Sequence, residues 1–116
     1  MKINLFSAPK TRQFVVSQVQ LDELRQALQR EHFFDLDASY GTIVDDGTTT
    51  TLEISAGHLT KNVQLDFLRD WSPQRLREPS RALRVLQVIL TWVNDPEVVE
   101  VRRYNQTLLD RAKLAS

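Results

Sequence analysis

The sequence predicts an α+β domain with one antiparallel sheet of about four strands, two helices packed on one face, and an additional C-terminal helix. Segments within residues 2–16 and 50–68 alternate apolar and polar residues, which is the period of a half-buried strand. Residues 17–30 and 80–94 place apolar residues every three or four positions, as amphipathic helices do. Such elements form a stable layer when the helices cover the apolar face of the sheet.

The N-terminal strands form a predicted hairpin. Residues 2–6 alternate polar and apolar side chains, with Ile3 and Leu5 on one face. Residues 7–10 supply turn residues, including a proline whose missing N–H would weaken a central strand. Residues 12–16 resume an extended run rich in β-branched and aromatic side chains, so we expect two adjacent strands.

The first helix begins at a predicted capping box. Ser17 and Gln20 have the spacing at which each side chain can hydrogen-bond the backbone N–H of the other. Leu24 and Leu28 then mark one apolar stripe. The stripe leads into residues 33–36, Phe-Phe-Asp-Leu, whose two phenylalanines we expect in the core at the helix exit.

A second hairpin is predicted in the middle of the chain. Residues 50–55 alternate threonine, leucine and isoleucine with polar positions, and residues 63–68 continue in the same way. This alternation places Asp66 on the solvent-facing side. Residues 56–58, Ala-Gly-His, supply the reversal between the two strands.

Two further helices are predicted in the C-terminal half. Ser72 and Pro73 favour a short helical turn before the main second helix, which we expect to run from Ser80 to about Asn94. The segment from Pro96 to about Lys113 fits a third helix, although part of it, residues 97–104, fits a strand as well.

The C-terminal segment 96–116 also suggests self-association. Its apolar stripe is narrow and is interrupted by Asn105, where a leucine would be expected. A thin stripe either packs weakly on its own domain or pairs with a second copy. We favour a homodimer through this segment.

The periodic positions together predict a buried core. Its expected members are Leu24, Leu28, Phe33, Leu52, Ile54, Val63, Leu65, Leu83, Leu86 and Leu90.

Composition narrows the class of function. The 116 residues fit one domain, 1–116, with a core over 1–94, and the absence of cysteine removes disulfides and thiol chemistry. Fifteen basic and fifteen acidic side chains cancel, which argues against a general affinity for nucleic acid or anionic membranes. No apolar run has the length of a signal peptide or a membrane span. We expect a cytoplasmic protein, although a chain that has lost a secretion signal would read the same way.

The pattern of core residues resembles a known family. The residues concerned are Leu24, Leu28, Phe33, Phe34, Asp35, Leu36, Tyr40, Asp46, Gly47, Thr50, Leu52, Ile54, Val63, Leu65 and the leucine-rich run 83–90. In this order they resemble a family of small bacterial α+β domains of unknown function, over roughly residues 1–94. A more distant similarity is to the emfourin-type proteinaceous inhibitors of metalloproteases, which share the order strand, helix, hairpin, helix. None of these motifs is catalytic, so the resemblance implies a fold and leaves 96–116 as a local addition.

Aspartates offer a route to acid–base chemistry. The available pairs are Asp35 with Asp37, and Asp45 with Asp46. Paired carboxylates can act as general acid and base when one is desolvated, so a small hydrolase using the Asp35/Asp37 region is one alternative. Aspartates beside a glycine in a turn more often cap backbone N–H groups. A calcium loop over this stretch would lack the repeated ligand spacing and the closing glutamate.

Histidines are too few for a metal centre. His32 and His58 stand alone, and a metal site needs three or four convergent ligands. We therefore predict no catalytic residue, no cofactor and no metal.

Arginines give a third hypothesis. Arg77, Arg81 and Arg84 lie at i, i+4 and i+7 across the start of the second helix, so they could form one stripe. Such a stripe could bind phosphate or nucleic acid. The neutral total charge and the lack of interleaved aromatics favour a solvated face, so nucleic acid is an unexpected partner.

The sequence therefore favours a non-enzymatic protein-binding module, either a proteinaceous inhibitor or an accessory subunit. Its partner is an unidentified protein. The candidate interaction surface comprises Asp35, Asp37, Asp45, Asp46, Arg77, Arg81 and Arg84.

Overall fold

A computed structural model describes residues 2–7, 10–41, 49–66, 68, 70–93 and 95–115. The strands are β1 (Lys2–Ser7), β2 (Lys10–Phe14), β3 (Ser39–Gly41), β4 (Thr49–Ala56) and β5 (Leu59–Asp66). The α-helices are α1 (Gln18–Arg30), α2 (Pro73–Leu76), α3 (Pro79–Leu90) and α4 (Pro96–Lys113), and a 3₁₀ turn spans Phe33–Asp35. The α+β class is confirmed.

The sheet differs from the predicted one in strand number and direction. It has five strands in the order β2-β1-β4-β5-β3. The β1–β2, β1–β4 and β4–β5 pairs are antiparallel, whereas β3 runs parallel to β5. The prediction of an antiparallel sheet of about four strands therefore matches only in part, because the sheet is mixed and has a fifth strand. The missed strand, β3, has only three residues, which is too short to show a period of two.

Both hairpins are present, but the second strand of the first one spans Lys10–Phe14 rather than residues 12–16, so Val15 and Val16 lie beyond it. In the second hairpin, Ala56 pairs with Leu59, so Gly57 and His58 alone make the reversal. Gly57 has a φ of 63°, while His58 is not among the described residues with positive φ. A positive φ at the first central position only is the pattern of a type II′ turn, which matches the twist of the strands it joins.

The start of α1 is also as predicted. The Ser17 hydroxyl accepts from the Gln20 N–H at 3.2 Å, and the Gln20 side-chain carbonyl accepts from the Ser17 N–H at 3.0 Å. The helix ends at Glu31, and His32 follows in the left-handed region with a φ of 50°. This turn directs the chain into the 3₁₀ turn.

The second helical region is divided into α2 and α3. The Ser72 hydroxyl accepts from the Arg75 N–H at 3.3 Å, so the predicted short helical turn exists. The longer helix stops at Leu90 rather than near Asn94. Beyond Leu90, the N–H groups of Trp92 and Val93 donate three residues back, to Ile89 and Leu90, which tightens and ends the helix.

Residues 97–104 are helical, which resolves the open alternative. α4 packs on α2 and α3, and its stripe is buried against the rest of the chain at Val98, Leu108 and Ala112. Asn105 is 2% exposed and donates from its amide to the Leu83 carbonyl at 2.9 Å and to the Gln87 side chain at 2.8 Å. A homodimer through 96–116 remains a prediction, but it would have to use another face of α4.

The core contains all ten predicted members. Leu24, Leu28, Phe33, Leu52, Ile54, Val63, Leu65, Leu83, Leu86 and Leu90 are buried in one cluster that includes residues of both sheet and helices. Phe34 is only half-buried and meets the Phe33 ring edge-on, with 5.8 Å between ring centroids.

Asp66 corrects the predicted solvent face of β5. It is 3% exposed, at the position where β5 pairs with Gly41 of β3. Phe67, expected on the buried face, lies outside the described residues. No described helix combines the length and apolar character needed to cross a membrane.

Candidate interaction surfaces

The two described aspartates of the predicted surface lie at the exit of the 3₁₀ turn. Asp35 is its last residue, and Asp37 follows after Leu36. Both side chains are exposed. The Asp37 backbone N–H donates to the Tyr40 hydroxyl oxygen at 3.0 Å. Asp45 and Asp46 lie outside the described residues.

Tyr40 is buried beneath this loop. Burial raises the pKa of its phenol, and the carboxylates of Glu78 and Asp37 raise it further, against the opposing effect of the hydrogen bond from the Asp37 N–H. The phenol therefore stays protonated at neutral pH. Its hydrogen bond from the Asp37 N–H ties the loop to the core.

Two of the three predicted arginines bind within the chain. Arg81 donates from Nε to the Glu31 carbonyl at 2.7 Å and from Nη2 to the His32 carbonyl at 3.1 Å. Arg84 donates from Nε to Glu31 Oε1 at 2.8 Å. Arg77 is exposed at the C-terminal cap of α2, so the three arginines do not lie on one helix. We call the set Glu31, His32, Arg81 and Arg84 the α1–α3 junction.

Glu31 is the centre of the α1–α3 junction. It is 6% exposed and also accepts from Arg30 at 3.0 Å. Burial alone would raise the pKa of this carboxyl, but the hydrogen bonds and positive charges of Arg84 and Arg30 outweigh burial and lower it. The carboxylate is thus held charged and joins the end of α1 to the start of α3.

Sequence reasoning selected Arg81 and Arg84 but missed Glu31. The signal for the arginines was their spacing, which places them on one face of a helix. The sequence around Glu31 gives no sign that it contacts these arginines, which lie about fifty positions later.

A second surface lies at the opposite edge of the sheet from β3. β2 is the outermost strand, and its only described partner is β1. Directly after it, Val15 is fully exposed, and Val19 on α1 is 76% exposed. We call the outer edge of β2, with Val15 and Val19, the β2 edge surface.

An open groove adjoins the β2 edge surface. It has a volume of about 360 Å³ and is lined by Gln13, Phe14, Val15, Gln20, Trp92 and Val93. The Trp92 indole N–H is buried and has no hydrogen-bond acceptor among the residues that the structure describes. The groove therefore adjoins both exposed apolar area and a residue with an unsatisfied donor.

The β2 edge surface was not predicted. The sequence indicated an extended run through Val16, but alternation alone does not show which apolar side chains lack cover. Val19 gave one usable signal, because it falls outside the stripe of Leu24 and Leu28.

The charged residues in and before β2 are all basic. The first 21 residues contain Lys2, Lys10 and Arg12 and no aspartate or glutamate. The first 21 residues are therefore a basic segment of a chain whose total charge is zero.

Neither histidine lies in a metal-binding arrangement. His32 is exposed in the left-handed turn, and His58 is exposed at the tip of the second hairpin. Within the described ranges, no three histidine, aspartate or glutamate side chains converge as metal ligands.

Comparisons of the chain with protein-family models, with curated proteins and with solved structures found no match.

Proposed function

We propose that this chain is a non-enzymatic protein-binding module that holds its partner at the β2 edge surface. The observation that carries the proposal is the pair Val15 and Val19, which expose apolar area beside a strand whose outer edge pairs with no described strand. Exposed apolar area and open strand edges are both features of binding surfaces. A proteinaceous inhibitor and an accessory subunit are the two concrete forms of this function.

The alternatives have less support. Asp35 and Asp37 are exposed, whereas a catalytic carboxylate pair gains its acid–base character from desolvation. Arg81 and Arg84 already donate hydrogen bonds to Glu31 and His32, so fewer of their N–H groups can bind phosphate oxygens. A hydrolase or a nucleic-acid binder would therefore need groups other than those that suggested it.

A matched pair of variants tests the proposal. Val19 and Leu114 are equally exposed, at 76%, but Leu114 lies at the far end of α4. The full chain, a V15S/V19S variant and an L114S variant would each be immobilised and exposed to lysate of the source organism, with captured proteins quantified by mass spectrometry.

We expect one protein to be captured at stoichiometric level by the wild type and L114S, and at least tenfold less by V15S/V19S. Thermal unfolding of all three chains verifies that they are folded. Equal capture by all three would contradict the assignment to the β2 edge surface. If the captured protein is a protease, loss of its activity on addition of the chain would support the inhibitor form.

A further inference from the structure

We propose that the β2 edge surface binds an extended, acidic segment of the partner protein, which adds to the sheet as a sixth strand beside β2. The inference rests on the proposed function and specifies the chemistry of the partner.

The backbone of β2 is suited to bind an extended ligand. All five of its residues pair with β1 on the inner side, from Ser7 with Lys10 to Ile3 with Phe14. Backbone N–H and C=O groups of a strand point alternately to its two sides, so the outer side presents its own set of donors and acceptors. No described residue pairs with that side. Another strand matches such a row of groups, and strand addition is a known mode of peptide recognition.

The other edge of the sheet is a poorer template. β3 has three residues against the five of β2. It also contains Gly41, which contributes no side chain to a cross-strand pair.

Apolar contacts fix where the added strand would sit. Val15 and the groove lie where β2 ends, so a segment that extends along β2 reaches both. Side chains alternate between the two sides of a strand, so every second residue of the ligand lies on one side and could contact Val15 where β2 ends. The ligand should therefore carry apolar residues at alternate positions.

The basic residues of β2 favour acidic residues at the remaining positions of the ligand. Lys10 and Arg12 are two residues apart in β2, and no acidic residue occurs in the first 21 positions. Acidic residues on the added strand would complement these charges. A second copy of β2 would instead bring two further basic residues to the same edge, and like charges close together on paired strands are unfavourable. A partner segment is therefore favoured over self-pairing.

The probe for a test is a fluorescent eight-residue peptide in which valine alternates with aspartate or glutamate. A second peptide replaces every acid with lysine, and a third repeats the acidic sequence with N-methyl groups on alternate backbone nitrogens. Binding to the full chain would be measured by fluorescence anisotropy at low and moderate salt. Amide hydrogen exchange of residues 10–14 would report whether the strand edge becomes protected.

We expect the acidic peptide to bind at least tenfold more tightly than the lysine peptide and to weaken as salt rises. N-methylation on the bonded side should weaken binding at least tenfold, and the acidic peptide should protect β2 amides. A K10E/R12E variant should reverse the preference between the two peptides. A K113E control, which changes an exposed charge at the end of α4, should leave the preference unchanged.

Equal binding of the acidic and lysine peptides, or no added protection of β2, would overturn strand addition by an acidic segment. Protection of β2 that rises with protein concentration, without peptide, would overturn it in favour of self-pairing. These outcomes are separable from failure of the proposed function. If V15S/V19S abolishes partner capture while no peptide binds, the binding module stands and strand addition fails.

Discussion

At the residue scale, one buried acid, Glu31, links the end of α1 to the start of α3. Glu31 is nearly inaccessible and accepts from both Arg30 and Arg84, while its own carbonyl accepts from Arg81. Arginines that the sequence suggested for phosphate binding therefore serve first as structural donors. A charged acid in such a site stabilises the fold only while it stays ionised.

Replacing Glu31 by glutamine should lower the free energy of unfolding at pH 7 by about 1–2 kcal/mol, since charged hydrogen bonds are exchanged for neutral ones. The folded pKa of Glu31 is lowered, so its contribution is complete above the unfolded pKa and disappears as pH falls through the folded one. Urea unfolding of wild type and E31Q should accordingly converge below about pH 4.

An E100Q variant serves as the control, because Glu100 is exposed on α4. It should change stability at pH 7 by less than about 0.5 kcal/mol. A difference between wild type and E31Q that is as large at pH 3 as at pH 7 would contradict the assigned role of the charge.

Asn105 makes a second prediction at this scale. Its amide donates to two acceptors, the Leu83 carbonyl and the Gln87 side-chain oxygen. Aspartate has nearly the same shape but offers only acceptors, so N105D should cost about 3 kcal/mol or more at neutral pH. Thermal unfolding at pH 7 and pH 4 checks this, and part of the loss should return at the lower pH as the new carboxyl is protonated.

At the element scale, the sequence predicted the longer strands and missed the shortest one. β4 and β5 have eight residues each and repeat their pattern often enough to be read. β3 has three residues and no visible period, so it was missed, and with it the burial of Asp66. The capping box of α1 was readable because both partners lie within four residues. The α1–α3 junction was not, because its partners come from distant parts of the chain.

Gly41 and Gly57 give a matched test of the missed strand. Both have positive φ, at 93° and 63°. A Cβ on Gly41 would lie 1.9 Å from the Asp66 carbonyl oxygen, whereas a Cβ on Gly57 would meet nothing within 4 Å. G57A should therefore cost about 1–2 kcal/mol from backbone strain alone. G41A should cost clearly more, because β3 must also move from β5.

Urea unfolding measures both variants against wild type. A G41A chain no less stable than G57A would mean that β3 does not pack against β5 as described.

At the scale of the whole molecule, α4 belongs to the same core as the sheet. Val98, Leu108, Leu109 and Ala112 lie in one cluster with residues of β1 and β4. Arg102 adds a polar tie by donating to the carbonyls of Leu90 and Val93 at the end of α3. The sequence indicated the helix but not that its apolar stripe packs within the chain. A narrow stripe gives the same sequence pattern whether it packs within the chain or on a second copy of the protein.

Deleting residues 96–116 should therefore broaden or abolish the cooperative thermal transition, since α3 would lose its apolar cover. Circular dichroism measures the transition, and light scattering of the full chain measures its mass. A sharp transition in the shortened chain would show that residues 1–95 fold independently. A full-length mass near twice 13.4 kDa would support the homodimer.

The parallel pairing of β3 with β5 has a consequence for the order of folding. Ser39 pairs with Gln64, across the whole of β4, whereas β4 and β5 meet through a two-residue turn. Closing a long loop costs more entropy than closing a short one, so we expect the hairpin to form first and β3 to join after the rate-limiting barrier. Destabilisation by G41A should then appear almost wholly as faster unfolding, with the refolding rate unchanged in stopped-flow experiments. The last strand to join would also be the first to leave, so this edge of the sheet would open before the rest of the molecule unfolds.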